Sequence, residues 1–287
     1  MIGEQPLLSV FCITYNHAPY IDDAIKGFLQ QQTDFPIEIV IHDDASTDGT
    51  DDIIRYYEKK YPNLIYPIYE KENQYSKGVR FDKEIIMPKI RGKYVAFCEG
   101  DDYWIDAYKL QKQVDYLEKH PECSASVHTA NVAYGDRVIY KNLRAEEECD
   151  FSAKDVILGG GMLAATASIV CRTEYAREYP SYRLLTTTGD FSLMLLLGDR
   201  GLIHYFPEVM SVYRWQNPGS WSARHQQDRG KMMEHLKDML EWCTAVNVDT
   251  NGKYKHLLNL MVENMLSELC RAGYFSLEAA VQYKNQF

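Results

Sequence analysis

The chain has 287 residues, of which 46% are hydrophobic, and carries a formal net charge of −10 at pH 7. This length suffices for one large domain, or one domain with an appendage, and the negative charge argues against nucleic acid as the main partner. No apolar run approaches the ~18 residues of a membrane-spanning helix, the N-terminus does not resemble a signal peptide, and seven scattered cysteines favour free thiols, so we expect a cytoplasmic protein.

The first half of the chain alternates apolar strands with amphipathic helices. Apolar runs predict strands over 7–13, 37–41, 64–69 and 94–98. Helical spacing predicts helices over 20–31, 50–60, 81–90 and 107–119, and Pro88 is expected to kink or end the third of these. Such alternation predicts an α/β fold with a doubly wound, mostly parallel sheet flanked by helices.

The second half of the chain is less regular. Strands are predicted over 123–134, 138–140, 165–170, 203–206 and 209–215. Short helices are predicted over 155–158 and 191–197, and an exposed acidic loop over 145–150. From about residue 226, two apolar stripes predict a helical hairpin, so we divide the chain into a catalytic domain, 1–222, and a helical extension, 223–287. We expect the hairpin to cover the catalytic domain; a homodimer contact or membrane-surface docking are its alternatives.

Polar side chains follow three of the predicted strands. They are Thr14, Tyr15 and Asn16, then Asp43 and Asp44, and finally Glu99, Asp101 and Asp102. Because parallel strands end at one edge of a sheet, these side chains should lie close together. Two carboxylates ~4 Å apart repel by roughly 4 kcal/mol at an effective dielectric near 20, which Mg²⁺ or Mn²⁺ would relieve. The alternative is a solvated acidic turn that caps the next helix.

This edge has the groups that a nucleoside diphosphate requires. Asp43 can accept hydrogen bonds from a base or a ribose, Tyr15 can stack on the base, and a cation can hold the diphosphate and stabilise its departure. Asp43 and Asp44 could instead interact favourably with the dipole of the following helix, although Asp48 is better placed to cap that helix.

Five short motifs point to a family. They are Ile13-Thr14-Tyr15-Asn16, the segment 42–48 (HDDASTD), Glu99-Gly100-Asp101-Asp102, Thr188-Gly189-Asp190 and Val212-Tyr213-Arg214-Trp215. Their order and spacing over about residues 6–222 resemble the bacterial members of glycosyltransferase family 2, which have the GT-A fold. The sequence departs from the family at Ile13, usually Pro, at Glu99, usually Asp, and at Gln216, often His.

The resemblance implies a role for each matched residue. Thr14, Tyr15, Asn16 and Asp43 would hold the nucleoside, with Asp44 beside them, and Asp101 would be the main metal ligand, with Glu99 and Asp102 nearby. The remaining implied groups are Asn73, Lys77 and Arg80 toward the donor phosphates, Asp190 as general base, and Trp104, Trp215 and Trp221 as sugar platforms. Asp190 could instead, or also, cap the helix over 191–197, and the tryptophans could be packing residues.

The resemblance also implies the reaction. It is transfer of a hexosyl or N-acetylhexosaminyl group from a nucleotide-sugar, most simply a UDP-sugar, to a saccharide or lipid-linked saccharide hydroxyl, with inversion and with Mn²⁺ or Mg²⁺. Surface polysaccharide assembly, with peripheral association at the inner face of a membrane, would suit this activity. One alternative is a nucleotidyltransferase, which would show a Gly-rich basic loop where His17-Ala18-Pro19 stands. The other is a non-catalytic nucleotide-sugar-binding protein, against which Asp190 argues.

Overall fold

The structure, a computed structural model, describes residues 5–135, 137–185, 189–215, 229–271 and 273. Within these residues the centre of the molecule is a ten-stranded sheet. The strands are β1 (Leu8–Thr14), β2 (Ile37–Asp43), β3 (Ile65–Tyr69), β4 (Tyr94–Glu99), β5 (Tyr103–Trp104), β6 (Cys123–Tyr134), β7 (Arg137–Lys141), β8 (Cys149–Phe151), β9 (Val170–Arg172) and β10 (Leu202–Arg214). The helices are α1 (Ile21–Leu29), α2 (Thr50–Lys60), α3 (Lys109–Lys119), α4 (Ala153–Gly159), α5 (Thr173–Ala176), α6 (Ser181–Leu185), α7 (Gly189–Arg200), α8 (Arg229–Asp249) and α9 (Lys255–Arg271).

The strand order is β3-β2-β1-β4-β9-β6-β10-β5, with β7 added to β6 and β8 added to β10. The first four strands in this order are parallel to one another. Next, β9 runs antiparallel to both β4 and β6, after which β6 and β10 are parallel again. The predicted α/β fold is therefore confirmed, and the antiparallel strands make the sheet mixed.

The sheet is buried on both faces, which explains the nearly continuous apolar runs of its central strands. Successive side chains of β1 point to opposite faces. Val10 and Cys12 belong to a cluster that includes residues of α1, α2 and α3, whereas Phe11 belongs to a second cluster with Phe97 and residues of α4 and α7. Two helical layers thus hold the sheet rigidly and position the strand ends.

The C-terminal hairpin, α8 and α9, packs on the second face, as predicted. Trp242 is fully buried, and its indole N–H donates to the Ser192 hydroxyl on α7 at 2.8 Å. Leu258 and Val262 of α9 belong to the same hydrophobic cluster. The proposed boundary at 222/223 lies outside the described residues. Among the helices described, none is long and apolar enough to cross a membrane.

Three predicted elements are different in the structure. The strand predicted over 165–170 is a 3₁₀ turn, Thr166–Ser168, followed by the short β9. The strands predicted over 203–206 and 209–215 are one strand, β10, whose register shifts on both sides of Val209, next to Pro207 and Glu208. The acidic segment 145–150 ends in β8, which pairs with β10.

Two predicted helices also have different bounds or geometry. The segment 81–90 forms a π turn, Asp82–Ile86, and then a 3₁₀ turn, Met87–Lys89, because Pro88 cannot donate the backbone hydrogen bond of a regular helix. The helix predicted over 191–197 runs from Gly189 to Arg200.

Candidate active site

The three polar strand tips lie side by side at the carboxyl edge of the sheet. Thr14 at the end of β1 pairs in register with Asp43 of β2, and Ile13 pairs with Glu99 of β4. The backbone continues this pairing beyond the strands, because Asp44 N donates to Thr14 O at 3.0 Å. The prediction that the tips share one edge is confirmed.

The tips of β1 and β2 are joined by hydrogen bonds. Asn16 has a left-handed φ of 54°, its backbone N–H donates to the Ser46 hydroxyl at 2.8 Å, and its side-chain oxygen accepts from Thr47 N at 2.8 Å. The buried Asp43 carboxylate accepts a hydrogen bond from Ser46, and burial raises the pKa of Asp43. Tyr15 is 40% exposed, so its ring is free to stack on a ligand.

Asp44 holds the loop that follows β3. Its carboxylate accepts the backbone N–H groups of Gln74 at 2.6 Å and Tyr75 at 3.1 Å. The Asn73 amide donates to the Asp44 carbonyl at 3.2 Å, and its oxygen accepts from Ser76 N at 2.7 Å. Asp44 is therefore a positioning residue whose charge is already satisfied by the protein.

Two basic residues of the same loop are engaged with acidic neighbours. Lys77 is exposed and forms an ion pair with Glu72. Arg80 is half-buried and pairs with Asp82 at 3.1 Å. The structure thus connects Asn73 directly to the β2 tip, whereas a contact from Lys77 or Arg80 to a donor stays a prediction.

The turn after β4 concentrates negative charge. Burial, together with the charges of Asp101 and Asp190, raises the pKa of Glu99 to about 8. Burial, with the charges of Asp101 and Glu99, raises the pKa of Asp102 well above its usual value. Such repulsion among carboxylates is the electrostatic setting in which a cation binds.

Arg214, at the end of β10, braces this turn from 113 residues away in sequence. Its backbone N–H donates to the Asp102 carboxylate at 2.8 Å, and its guanidinium donates to the Asp101 carbonyl at 2.8 Å and to the Asp23 carboxylate at 2.5 Å. The guanidinium also lies 4.4 Å from the centre of the Tyr103 ring. The motif at 212–215 marks this residue, but its contact with the acidic turn was not predicted.

The acidic turn can supply only part of a metal site by itself. Among the described residues, no three His, Cys, Asp or Glu side chains converge closely enough to hold a metal ion. Asp102 is 1% exposed and turned toward Arg214, and no described group bonds its second carboxylate oxygen. The predicted set of Glu99, Asp101 and Asp102 is therefore not assembled as three joint ligands. Mg²⁺ and similar cations commonly use one or two carboxylates plus substrate phosphates, and Asp101 fits that arrangement.

Asp190 reaches the same cluster from α7. It lies in the first turn of this helix, which begins at Gly189, so the alternative that it is the N-cap residue is wrong. Its carboxylate accepts the Phe191 N–H at 2.8 Å and lies 3.5 Å from the Thr166 hydroxyl. Burial raises the pKa of Asp190, and the negative charge of Asp190 contributes, after burial and Asp101, to the raised pKa of Glu99.

The structure describes two of the three tryptophans that were predicted to bind a sugar, Trp104 and Trp215. Trp104 is 1% exposed, donates its indole N–H to the Ala167 carbonyl at 2.8 Å, and has the Lys109 amine 4.3 Å from its ring centre. The prediction that Trp104 binds a sugar is wrong, because the strand β5 turns this ring into the core. Trp215 is half-buried at the end of β10, and Trp221 lies outside the described residues.

A mixed sheet flanked by helices, with acidic side chains at its parallel strand tips, agrees with the GT-A fold that the motifs predict. The profile of Glycosyl transferase family 2 matches residues 9–179, more than half of the chain. The chain therefore belongs to this family, and the nucleotidyltransferase alternative is set aside.

Similar sequences occur in bacteria. The chain is 37% identical over 230 residues to the uncharacterized protein Rv1520 of Mycobacterium tuberculosis, covering 79% of this chain and 64% of that protein. It is 30% identical over 220 residues to TuaG of Bacillus subtilis, whose name refers to teichuronic acid biosynthesis, covering 76% of this chain and 82% of TuaG. The match thus spans less than two thirds of the mycobacterial protein and most of TuaG.

Two solved structures share the fold. S. aureus TarS in complex with UDP-GlcNAc superposes with a TM-score of 0.67 at 17% identity, covering 92% of this chain and 72% of TarS. The mannosyltransferase PcManGT from Pyrobaculum calidifontis, in complex with GDP-Man and Mn²⁺, gives a TM-score of 0.59 at 17% identity, covering 99% of this chain and 80% of that one. At these identities the likeness establishes the GT-A fold alone.

Proposed function

We propose that this protein is a metal-dependent glycosyltransferase that moves a hexosyl or N-acetylhexosaminyl group from a UDP-sugar to a hydroxyl of a saccharide or lipid-linked saccharide. Transfer proceeds with inversion, and the product contributes to a surface polysaccharide. The observation that carries this proposal is the pairing of the β1, β2 and β4 tips, which brings Thr14, Asp43 and Glu99 to one edge of the sheet. The charge of Asp190 also acts on Glu99.

The tips of β1 and β2 would hold the nucleoside. Asp43, fixed by Ser46, offers carboxylate oxygens to a base or ribose, and the exposed Tyr15 offers a ring for stacking. Asn16 locks the β1 tip against the segment after β2. Asp44 and Asn73 keep the loop at 72–80 beside the nucleoside, so that Lys77 and Arg80 can approach the phosphates.

The acidic turn would hold the diphosphate through a divalent cation, Mn²⁺ or Mg²⁺. Asp101 is the main protein ligand, Glu99 lies beside it, and Arg214 keeps the turn in place. The bound cation would neutralise the negative charge that develops on the departing nucleoside diphosphate.

Asp190 would act as the general base. Its raised pKa brings the carboxylate closer to the operating pH, which increases its ability to accept a proton from the attacking acceptor hydroxyl. The acceptor oxygen then attacks the anomeric carbon on the face opposite the leaving diphosphate, which inverts the configuration. The Phe191 N–H and the Thr166 hydroxyl hold the carboxylate in one orientation.

A binding experiment tests the donor site. Full-length protein is melted with UDP, GDP and their sugars, each with and without Mn²⁺. A ligand at 100 times its Kd stabilises the folded state by about 2.7 kcal/mol, so we expect a metal-dependent rise in melting temperature with UDP and one UDP-sugar. No shift with any nucleotide would contradict the proposal.

The Asp190→Asn variant tests the base. We expect it to bind the donor like the wild type but to lose transfer by about 10²- to 10⁴-fold, the usual contribution of a general base. The matched control is Asp115→Asn, an exposed carboxylate on α3 whose partner is Gln111. Full transfer by Asp190→Asn would eliminate this residue as the base, and donor binding without transfer by the wild type would favour the non-catalytic alternative.

A further inference from the structure

His17 follows the β1 tip and has a fixed backbone. Its N–H donates to the Thr50 hydroxyl at 2.9 Å. Its carbonyl accepts from Tyr20 N at 2.8 Å and from Ile21 N at 2.9 Å, at the start of α1. The main chain is therefore held on both sides of this residue, and the imidazole points toward the acidic turn.

The imidazole faces Asp101 across a gap. The distance from His17 Nε2 to the nearer carboxylate oxygen of Asp101 is 4.0 Å, which is too long for a hydrogen bond. Two ligands that each lie ~2.1 Å from one cation are separated by about 3.0 Å when adjacent and about 4.2 Å when opposite. The observed separation lies within this range, so one cation could contact both side chains with little movement.

Gly100 makes this approach possible. A Cβ atom at this position would lie 2.6 Å from the Thr14 hydroxyl and 3.1 Å from His17 Nδ1. The ring therefore packs against the bare backbone of the acidic turn, and any side chain at residue 100 would displace it. This close packing explains why the residue between Glu99 and Asp101 is a glycine.

Within the part of the chain that the structure describes, neither ring nitrogen of His17 has a hydrogen bond. Nδ1 is buried there without a partner. Nε2 faces the Asp101 carboxylate at 4.0 Å. The side chain is 23% exposed, so Nε2 can be reached from the edge where the donor would bind. A polar ring that is oriented but unpaired beside a cluster of carboxylates is suited to binding a cation.

We propose that His17 joins Asp101 as a second protein ligand of the divalent cation, and that it shifts the metal preference from Mg²⁺ toward transition ions such as Mn²⁺ and Co²⁺. This inference rests on the proposed function, which supplies the cation and the diphosphate that complete its coordination. Mg²⁺ takes oxygen ligands, whereas an imidazole nitrogen is a better ligand for ions of the first transition row.

Mn²⁺ binding to the full-length protein with UDP tests the proposal. Free Mn²⁺ is measured by electron paramagnetic resonance, and Mg²⁺ affinity by competition, for the wild type, His17→Ala and His120→Ala. His120 is the matched control, because it is an exposed histidine that directly follows α3 and pairs with Glu122. We expect His17→Ala to weaken Mn²⁺ binding at least about tenfold and Mg²⁺ binding less than twofold, while His120→Ala changes neither.

Pulsed electron paramagnetic resonance of the wild type gives a readout that does not depend on the folding of a variant. Protein with ¹⁵N-labelled histidine should show nitrogen modulation from an imidazole bound to Mn²⁺, and His17→Ala should lose it. Mn²⁺ binding without this modulation, or a His17→Ala variant with unchanged Mn²⁺ affinity, would overturn the role of His17 alone. Failure of the wild type to bind Mn²⁺ with either UDP or GDP would overturn the proposed function as well.

Discussion

The tips of β2 and β4 lie on the same edge of the sheet and carry similar charges, but their carboxylates have different partners. At the β2 tip, Asp43 accepts from Ser46, and Asp44 accepts two backbone N–H groups. At the β4 tip, Glu99 and Asp102 face other carboxylates, and their pKa values are raised. The carboxylates of the β2 tip are thus held by hydrogen bonds within the protein, whereas those of the β4 tip would be stabilised by a bound cation.

This difference shows that two acidic motifs of similar sequence can have different roles, one structural and one electrostatic. Hydrogen-bonded carboxylates fix the shape of a site, because moving them breaks bonds that nothing else replaces. Carboxylates that repel one another lower the stability of the metal-free protein and raise its affinity for cations. Each of the following predictions changes one tip and leaves the other in place.

Removing the central charge of the β4 tip should have the largest effect. We expect Asp101→Asn to weaken Mn²⁺ binding in the presence of UDP by at least about a hundredfold. Without metal and above about pH 8, where Glu99 is ionised in the folded protein, the same variant should be more stable than the wild type by about 1 kcal/mol, because Glu99 loses a repelling neighbour. Calorimetric titration and chemical denaturation measure the two quantities. Mn²⁺ affinity equal to that of the wild type would remove Asp101 from the metal site.

Truncating a carboxylate of the β2 tip should lower the stability of the metal-free protein. Asp44→Ala removes the acceptor of two backbone N–H groups at a residue that is 4% exposed. We expect the free energy of unfolding to fall by about 3 kcal/mol and donor affinity to fall because the loop at 72–80 is released. Denaturant titration against the exposed control Asp52→Ala measures the cost. A loss as small as that of the control would show that Asp44 does not hold the loop.

The pH dependence of stability should report the repulsion at the β4 tip. The pKa of Glu99 rises from its usual 4.5 to about 8 on folding, so the folded protein binds more protons than the unfolded chain between these values. The contribution of Glu99 to the free energy of unfolding of the metal-free protein should therefore be largest below its unfolded pKa and fall as pH rises, by up to about 1.4 kcal/mol per unit. Above about pH 8 this contribution is lost and the slope should end.

The control for this measurement is Glu99→Gln, which cannot ionise. Denaturation at a series of pH values with a chelator present should give a flatter curve for the variant. If the wild type and the variant have the same slope from pH 5 to 8, Glu99 does not titrate as we expect.

The smallest effect should come from the backbone of the β2 tip. Ala45 has a left-handed φ of 62°. This conformation costs an L-residue roughly 1–2 kcal/mol, while glycine loses about 0.5–1 kcal/mol through its greater freedom in the unfolded chain. We expect Ala45→Gly to stabilise the protein by about 0.5–1 kcal/mol in thermal melts. Ala245→Gly, in the buried face of α8, should instead destabilise it.

The sequence by itself determined the order of the elements and the meeting of the three strand tips. Nearly continuous apolar runs and amphipathic runs of period 3.6 are local signals, and the rule that parallel strands end at one edge then brings Thr14, Asp43 and Glu99 together. The short motifs added the family, because their order along the chain does not depend on the details of packing.

Only the tertiary structure decided what surrounds those tips. Arg214 contacts the acidic turn across 113 residues, Trp104 turns into the core below α1, and His17 approaches Asp101 over Gly100. The short β9 runs antiparallel between β4 and β6. These features arise from packing between distant segments, where burial and close approach override local preference. A pattern read along one segment contains no information about the partner that another segment supplies.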